Sequence, residues 1–315
     1  MTAPLFDRVA FIGIGLIGSS IARVMRRDGL AGSIIACARS DETLNTALEL
    51  GIADEVTKDP AVAATGADLV MICTPVSTYG AIAAAISPSL KPGAIVTDVG
   101  SVKASAIKAV LPHLPEGVHF VPGHPIAGTE NSGPESGFDT LFEGRWFLIT
   151  PPPGTDQGAI DKVAELWTRA GSNIDYLEPE HHDQVLAITS HLPHLIAYTI
   201  VGTATDLEDH IKSEVVKYSA SGFRDFTRIA ASDPVMWRDV FLTNREATLE
   251  ILGRFTEELF ALQRAIRQGD GDELHAYFTR TRAIRRGIIE AGQDTAAADF
   301  GRGPGAATMR DPTEG

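Results

Sequence analysis

Val9-Ala10-Phe11-Ile12-Gly13-Ile14-Gly15-Leu16-Ile17-Gly18 is the stretch on which the reading of this chain turns. An apolar run enters a GxGxxG turn, and the helical pattern of Ser19-Ser20-Ile21-Ala22-Arg23-Val24 leaves it. Strand, glycines and helix in that order are the context a dinucleotide-binding turn requires. Gly13 permits the tight turn, Gly15 lets backbone approach a pyrophosphate, and Gly18 lets helix and strand pack closely. The helix that opens at Leu16 and Ile17 offers its N-terminus to negative charge.

Outward from this turn, VAFIG is followed by SIIACA, DLVMIC, AIVTDV, HFVPG and WFLIT, separated by stretches such as SSIARVMRR and TYGAIAAAI. That rhythm predicts a doubly wound, mostly parallel α/β sheet. After Asp175-Tyr176-Leu177 the strand signals stop. Asp233-Pro234 reads as an N-cap and first-turn proline opening one long helix, in which Leu249, Leu252, Phe255, Leu259, Leu262 and Ile266 recur at helical spacing until Gly269. A further helix carries Leu274, Phe278, Ile284 and Ile288, and from Gly292 the chain is rich in Gly, Ala, Asp and Pro. The expected organisation is a dinucleotide-binding domain over 1–175, an all-α substrate-binding domain over 176–292 and a flexible tail over 293–315. An apolar stripe that long exceeds what a small helical domain covers by itself, so it is expected to be shared between the subunits of a homodimer.

A length of 315 residues fits about two domains. Hydrophobic residues at 44% and charged residues at 22% exclude a disordered, collagen-like or coiled-coil chain. Lys plus Arg number 27 against 41 Asp plus Glu, and the resulting charge of −14 repels phosphate backbones and anionic membranes. Nucleic acid and membrane are therefore not expected partners, and an anionic small molecule needs a local cation. Cys37 and Cys73 lie in apolar runs and form no disulfide framework. The start, MTAPLFDRVAFIGIG, lacks the basic and apolar segments of a leader, and no stretch of 18 apolar residues occurs. A soluble cytoplasmic protein is expected.

The second strand ends Ala36-Cys37-Ala38-Arg39-Ser40, without the acid that usually takes the ribose hydroxyls of NAD. Arg39 and Ser40 suit a 2′-phosphate and favour NADP, while Asp41 or Glu42 serving NAD is the alternative. Thr74-Pro75-Val76 and Asp98-Val99-Gly100-Ser101-Val102-Lys103 follow later strands, where ligands of open α/β sheets bind. The first should line the cofactor and Ser101 the reacting centre; a helix cap for Ser101 and an ordinary solvated lysine at 103 are the bland alternatives. His124, fixed between Gly123 and Pro125 at a strand end, is poorly explained by packing, and its near-neutral pKa suits a general base. His181, His182, His191 and His194 invite a metal, but cysteine partners are absent and proline interrupts the HxxH pair, so none is expected. Arg224 and Arg228 share a helix face with Asp225 between them. Arg228, set amid Phe226, Ile229 and Trp237, is the better candidate for capturing a carboxylate.

In this order, GIGLIGSS, TPV, DVGSVK, HPIAGTENSG, EHHDQVLAITSHLPH and SGFRDFTRIAASDPVMW resemble the prephenate/arogenate (cyclohexadienyl) dehydrogenases of tyrosine biosynthesis over residues 8–290. The resemblance implies a Rossmann domain, an α-helical dimerisation domain and an active site in the cleft between them. It implies oxidative decarboxylation: hydride leaves ring C4 for a nicotinamide, CO2 leaves C1, and the ring becomes aromatic. His124 would accept the C4 hydroxyl proton, with Ser101 hydrogen-bonding the same region. Arg228 would anchor a substrate carboxylate, Ser190, His191, His182 and Trp237 would border the site, and Glu130 with Asp225 would engage the arginine and gate access. Arg39-Ser40 departs from the acid that many relatives carry, which bears on NAD preference. Two other readings compete: a β-hydroxyacid dehydrogenase, needing a helical-domain lysine for which only Lys212 and Lys217 are on offer, and a non-catalytic dinucleotide sensor, against which His124, Ser101 and Arg228 together argue.

Overall fold

Alternation along the strands explains how the central layer is built. The computed structural model describes residues 3–205 and 220–290. Strands β1 (Phe6–Ile12), β2 (Ala31–Cys37), β3 (Glu55–Thr57), β4 (Leu69–Ile72), β5 (Ile95–Asp98) and β6 (His119–Val121) form one parallel sheet in the order β3-β2-β1-β4-β5-β6. Val9, Phe11, Ile34, Ala36, Leu69 and Met71 point to one face, and Ala10, Ile12, Ile35, Cys37, Val70 and Ile72 to the other. The first face is covered by α1 (Leu16–Arg27), through Ile21, Val24 and Met25. The second is covered by α3 (Pro60–Ala64), α4 (Tyr79–Ile86) and α5 (Ala104–Val110), through Ala63, Ala83, Ile86 and Val110; α2 (Asp41–Glu49) follows β2. Because β1 lies between β2 and β4, the strand order reverses at its carboxyl end, where α/β sheets bind ligands.

Two expectations about the strands change. Glu55-Val56-Thr57 forms β3, which is too short and too exposed to show as an apolar run. WFLIT does not join the large sheet: it is β8 (Trp146–Ile149), the centre of a second sheet between β7 (Gly123–Pro125), antiparallel to it, and β9 (Asn173–Tyr176), parallel to it. Pro122 separates the sheets, since it has no N–H to continue the ladder beyond Val121; its carbonyl accepts from Thr150 N at 3.0 Å. Helix α6 (Gln157–Arg169) connects β8 to β9 and packs Ile160, Val163, Leu166 and Trp167 into the first face's core.

The helices begin with α7 (Pro179–Leu186), pass through a π-helical turn, Ala187–His191, and continue as α8 (Leu192–Thr205). Pro193 accounts for the turn, because an α-helix would leave the carbonyl four residues earlier without its donor and against the proline ring. By length and composition alone Pro179–Ala204 suffices to cross a membrane, yet it buries His182, Asp183 and His191 against polar partners within the protein. Asp233 caps the next long segment as expected, accepting from Val235 N at 2.8 Å and Met236 N at 3.0 Å. The single long helix expected there is two: Pro234–Thr243 stops at Asn244, whose backbone is not helical (φ −105°, ψ 41°), and Arg245–Gln268 follows.

Compact units divide between Ile251 and Leu252. In the second, Gly269 (φ +70°) ends the Arg245–Gln268 helix and Gly271–Glu290 forms the next, with Leu259, Phe260, Ile266, Phe278 and Ile284 exposed. The expected tail over 293–315, like Lys212 and Lys217, lies outside the described residues.

Candidate active site

Gly13 takes φ +93°, and a Cβ there would stand 2.8 Å from the Cys73 carbonyl oxygen, so only glycine makes this turn. A Cβ on Gly18 would stand 2.9 Å from the Gly13 oxygen, whereas Gly15 faces open space at the start of α1. Gly15 gives α1 no side-chain cap, so the helix's first N–H groups remain available to an anion. This cradle fits a dinucleotide pyrophosphate. Alongside it, Pro75 leads into a turn over Val76–Thr78, Val76 is buried, and the Thr74 and Thr78 hydroxyls are 2.8 Å apart. Beyond β2, Ser40 caps α2 by accepting from Thr43 N at 3.1 Å, and Asp41 pairs with Lys58 at 2.7 Å. Arg39 is exposed and forms no ion pair among the described residues.

His124 sits on β7 because Gly123 lets the Phe147 ring pass close over it; a Cβ on Gly123 would lie 2.1 Å from Phe147 Cζ. The imidazole is buried, with Nδ1 3.0 Å from His182 Nε2. His182 Nδ1 lies 2.8 Å from Asp183 Oδ1, and the same carboxylate accepts from Lys103 N at 2.8 Å and Ala104 N at 3.0 Å, at the start of α5. Since a carboxylate only accepts, His182 holds its proton on Nδ1 and leaves Nε2 as an acceptor. His124 then donates from Nδ1 and keeps a bare lone pair on Nε2. Burial, with added repulsion from His182 and Lys103, pushes the His124 pKa well below 6.5, and burial lowers His182 despite the pull of Asp183. The outcome is a neutral imidazole with its basic nitrogen set by its neighbours.

Lys103 is not a solvated lysine. Its side chain and that of Asp98 are both 0% exposed, and Nζ donates to Asp98 Oδ2 at 2.5 Å and to the Gly123 carbonyl at 2.7 Å. Asp98 also accepts from Gly100 N at 2.8 Å and Gly123 N at 3.2 Å. One buried ion pair thus ties the Ser101 loop to the His124 strand. Ser101 is half-buried in that loop; it does not cap α5 and makes no hydrogen bond to His124.

The remaining residues divide. His191 is buried, Asn244 Nδ2 lies 3.1 Å from its Nδ1, and burial lowers its pKa to about 4. Ser190 is half-buried and accepts at its carbonyl from His194 Nδ1, 2.9 Å away. His194 stacks on the buried Trp237 with centroids 3.6 Å apart, and His181 is exposed. Arg228 is paired with Glu130 at 2.8 Å, both partly exposed, and Asp225 stands three residues before it on the Ser221–Thr227 helix. Among the described residues no group of three or more His, Cys, Asp or Glu is placed to hold a metal. The sequence reading gave no role to Asp98, Asp183 or Asn244, and it offered Lys103 only as an ordinary solvated lysine. Aspartate at the end of the apolar run AIVTDV, with a lysine five residues on, was the one available signal of a buried pair.

A nucleotide cradle, an imidazole held neutral and an arginine at the rim define a nucleotide-binding dehydrogenase. Profiles described as "Prephenate dehydrogenase, nucleotide-binding domain" and "Prephenate dehydrogenase, dimerization domain" match residues 21–176 and 178–280. A cyclohexadienyl dehydrogenase of Zymomonas mobilis is 42% identical over 281 residues, covering 89% of this chain and 96% of the relative. Among solved structures, prephenate dehydrogenase from A. aeolicus, in complex with hydroxyphenyl propionate and NAD+, superposes with a TM-score of 0.82 at 37% identity, covering 90% of this chain and 98% of that one. Synechocystis arogenate dehydrogenase gives a TM-score of 0.73 at 28% identity, covering 89% and 99%. The chain belongs to the prephenate dehydrogenase family and is an oxidoreductase.

Proposed function

We propose that this enzyme converts prephenate, arogenate or both to 4-hydroxyphenylpyruvate or tyrosine, with loss of CO2, in the cytoplasm and as a homodimer. The observation that carries the reading is the hydrogen-bonded line from Asp183 through His182 to His124, which leaves His124 Nε2 with a free lone pair inside a buried site. Bound at Gly13, Gly15, Leu16, Ile17 and Gly18 and along Thr74-Pro75-Val76, a nicotinamide dinucleotide supplies the hydride acceptor. His124 takes the proton of the ring hydroxyl as that carbon is oxidised. Ser101 orients the same hydroxyl, and Lys103 with Asp98 holds the Ser101 loop to the strand that carries His124.

Arg228 binds a substrate carboxylate, exchanging its partner Glu130 for the ligand, and Asp225 contributes to the same gate. Ser190, His191, His182 and Trp237 complete the substrate surface. At the adenosine end, Arg39 has no ion-pair partner among the described residues and favours a 2′-phosphate, hence NADP; the relative of known structure holds NAD+. Nicotinamide reduction followed by absorbance, crossing prephenate and arogenate with NAD and NADP, tests the whole reading. Turnover in any combination supports it, and the ratios of kcat/KM identify substrate and cofactor. Silence in all four with folded, nucleotide-binding protein would reject it in favour of a sensor.

A further inference from the structure

Asn244 ends the Pro234–Thr243 helix and is 5% exposed. Its Nδ2 lies 2.8 Å from the Asp183 carbonyl oxygen and 3.1 Å from His191 Nδ1. A backbone carbonyl has only lone pairs, so the amide atom facing it must be the NH2; the flipped amide would set oxygen against oxygen. The second proton of that NH2 then meets His191 Nδ1, which accepts it. A neutral imidazole that accepts at Nδ1 carries its own proton on Nε2. His191 Nε2 is buried and has no hydrogen-bond partner among the described residues. A buried N–H without an acceptor is costly and calls for a partner, which in a substrate site a bound ligand supplies.

We propose that Asn244 is a positioning residue that sets His191 as an Nε2–H donor for an acceptor oxygen of the bound substrate. The inference rests on the substrate reading above and adds to it a residue and a polarity. Asp183 organises both halves of the arrangement. Its carboxylate fixes His182, and through it His124, as an acceptor; its carbonyl fixes Asn244, and through it His191, as a donor. A molecule that brings one hydroxyl to be deprotonated and one oxygen to be held, as a hydroxylated carboxylate does, meets two imidazoles in complementary states.

Nitrogen-15 histidine labelling of the full chain tests this directly, with the His191 signals assigned by their loss in His191→Gln. The expected spectrum of the unaltered protein has His191 protonated at Nε2, and Asn244→Leu moves that signal toward the Nδ1–H form. Steady-state kinetics with prephenate or arogenate should show KM rising about tenfold in Asn244→Leu, the loss of one buried hydrogen bond to a charged group, with kcat changed far less. An Nδ1–H imidazole in the unaltered protein overturns the proposal, as does a tautomer indifferent to Asn244→Leu or a loss confined to kcat. Should Asn244→Leu not fold, the spectrum of the unaltered protein still decides. Because that spectrum needs no turnover, an enzyme silent toward both substrates would reject the functional reading and leave the tautomer measured.

Discussion

A histidine serves as a base only in its neutral form, and the surroundings of His124 hold it there. Replacing it with Asn, which keeps a hydrogen-bonding side chain without a basic nitrogen, should lower kcat by about 10²- to 10⁴-fold while substrate still binds; an unchanged kcat in steady-state assays would remove His124 from the chemistry. The proton balance of the site has its own consequence. His124, His182 and His191 all sit below the ordinary value of 6.5 in the folded protein, chiefly through burial, with His191 at about 4. The unfolded chain therefore binds more protons than the folded one once pH falls below about 6.5. Stability conferred by the neutral imidazoles is complete above that pH and is lost on acidification toward 4 and beyond, so urea midpoints should fall from pH 7 to pH 5. Equal midpoints would mean that the imidazoles are hydrated. His124 was legible in the sequence because a histidine between Gly and Pro at a strand end has little packing purpose. Asp183 and Asn244 were not, since their meaning lies in whom they touch 79 and 61 positions away along the chain, and Lys103 misled because lysine is so seldom buried.

Elements place these residues by how they end. The Asp98–Lys103 pair closes β5 onto β7 by taking Gly100 N, Gly123 N and the Gly123 carbonyl. Lys103→Met would leave Asp98 buried and uncompensated, a loss of about 3–5 kcal/mol. Urea unfolding measures it, and a change under about 1 kcal/mol would mean that water reaches the carboxylate. The same variant frees the strand that carries His124, so activity should fall even where the protein remains folded. The large sheet was readable from its doubly buried strands and the glycine turn. Its edge strand β3 and the departure of β8 into a small mixed sheet were not, because nothing in an apolar run says which neighbour it will pair with. Helical periodicity likewise runs straight through Asn244, where the helix breaks so that a side chain can turn to Asp183 and His191. The π turn before Pro193 belongs to the same class: the proline was visible, but not the widened turn that accommodates it.

For the molecule as a whole, the exposed apolar side chains carry the argument. Leu259, Phe260, Ile266, Phe278 and Ile284 are each more than half exposed on the last two helices, far more apolar surface than such a short unit leaves to water by itself. A second copy of the chain is the expected cover, in line with the dimerization domain that this region matches. Light scattering at micromolar concentration should give twice the 33.5 kDa of one chain; a single-chain mass would reject it. The line from Asp183 to His124, and its companion through Asn244, also bear on how such a chain comes to life. Their members are scattered from His124 to Asn244, and contacts between distant parts of a sequence carry the entropy cost of closing the chain between them. Catalytic competence is thus a property of several distant segments held together, and it is forfeited when any one of them lets go.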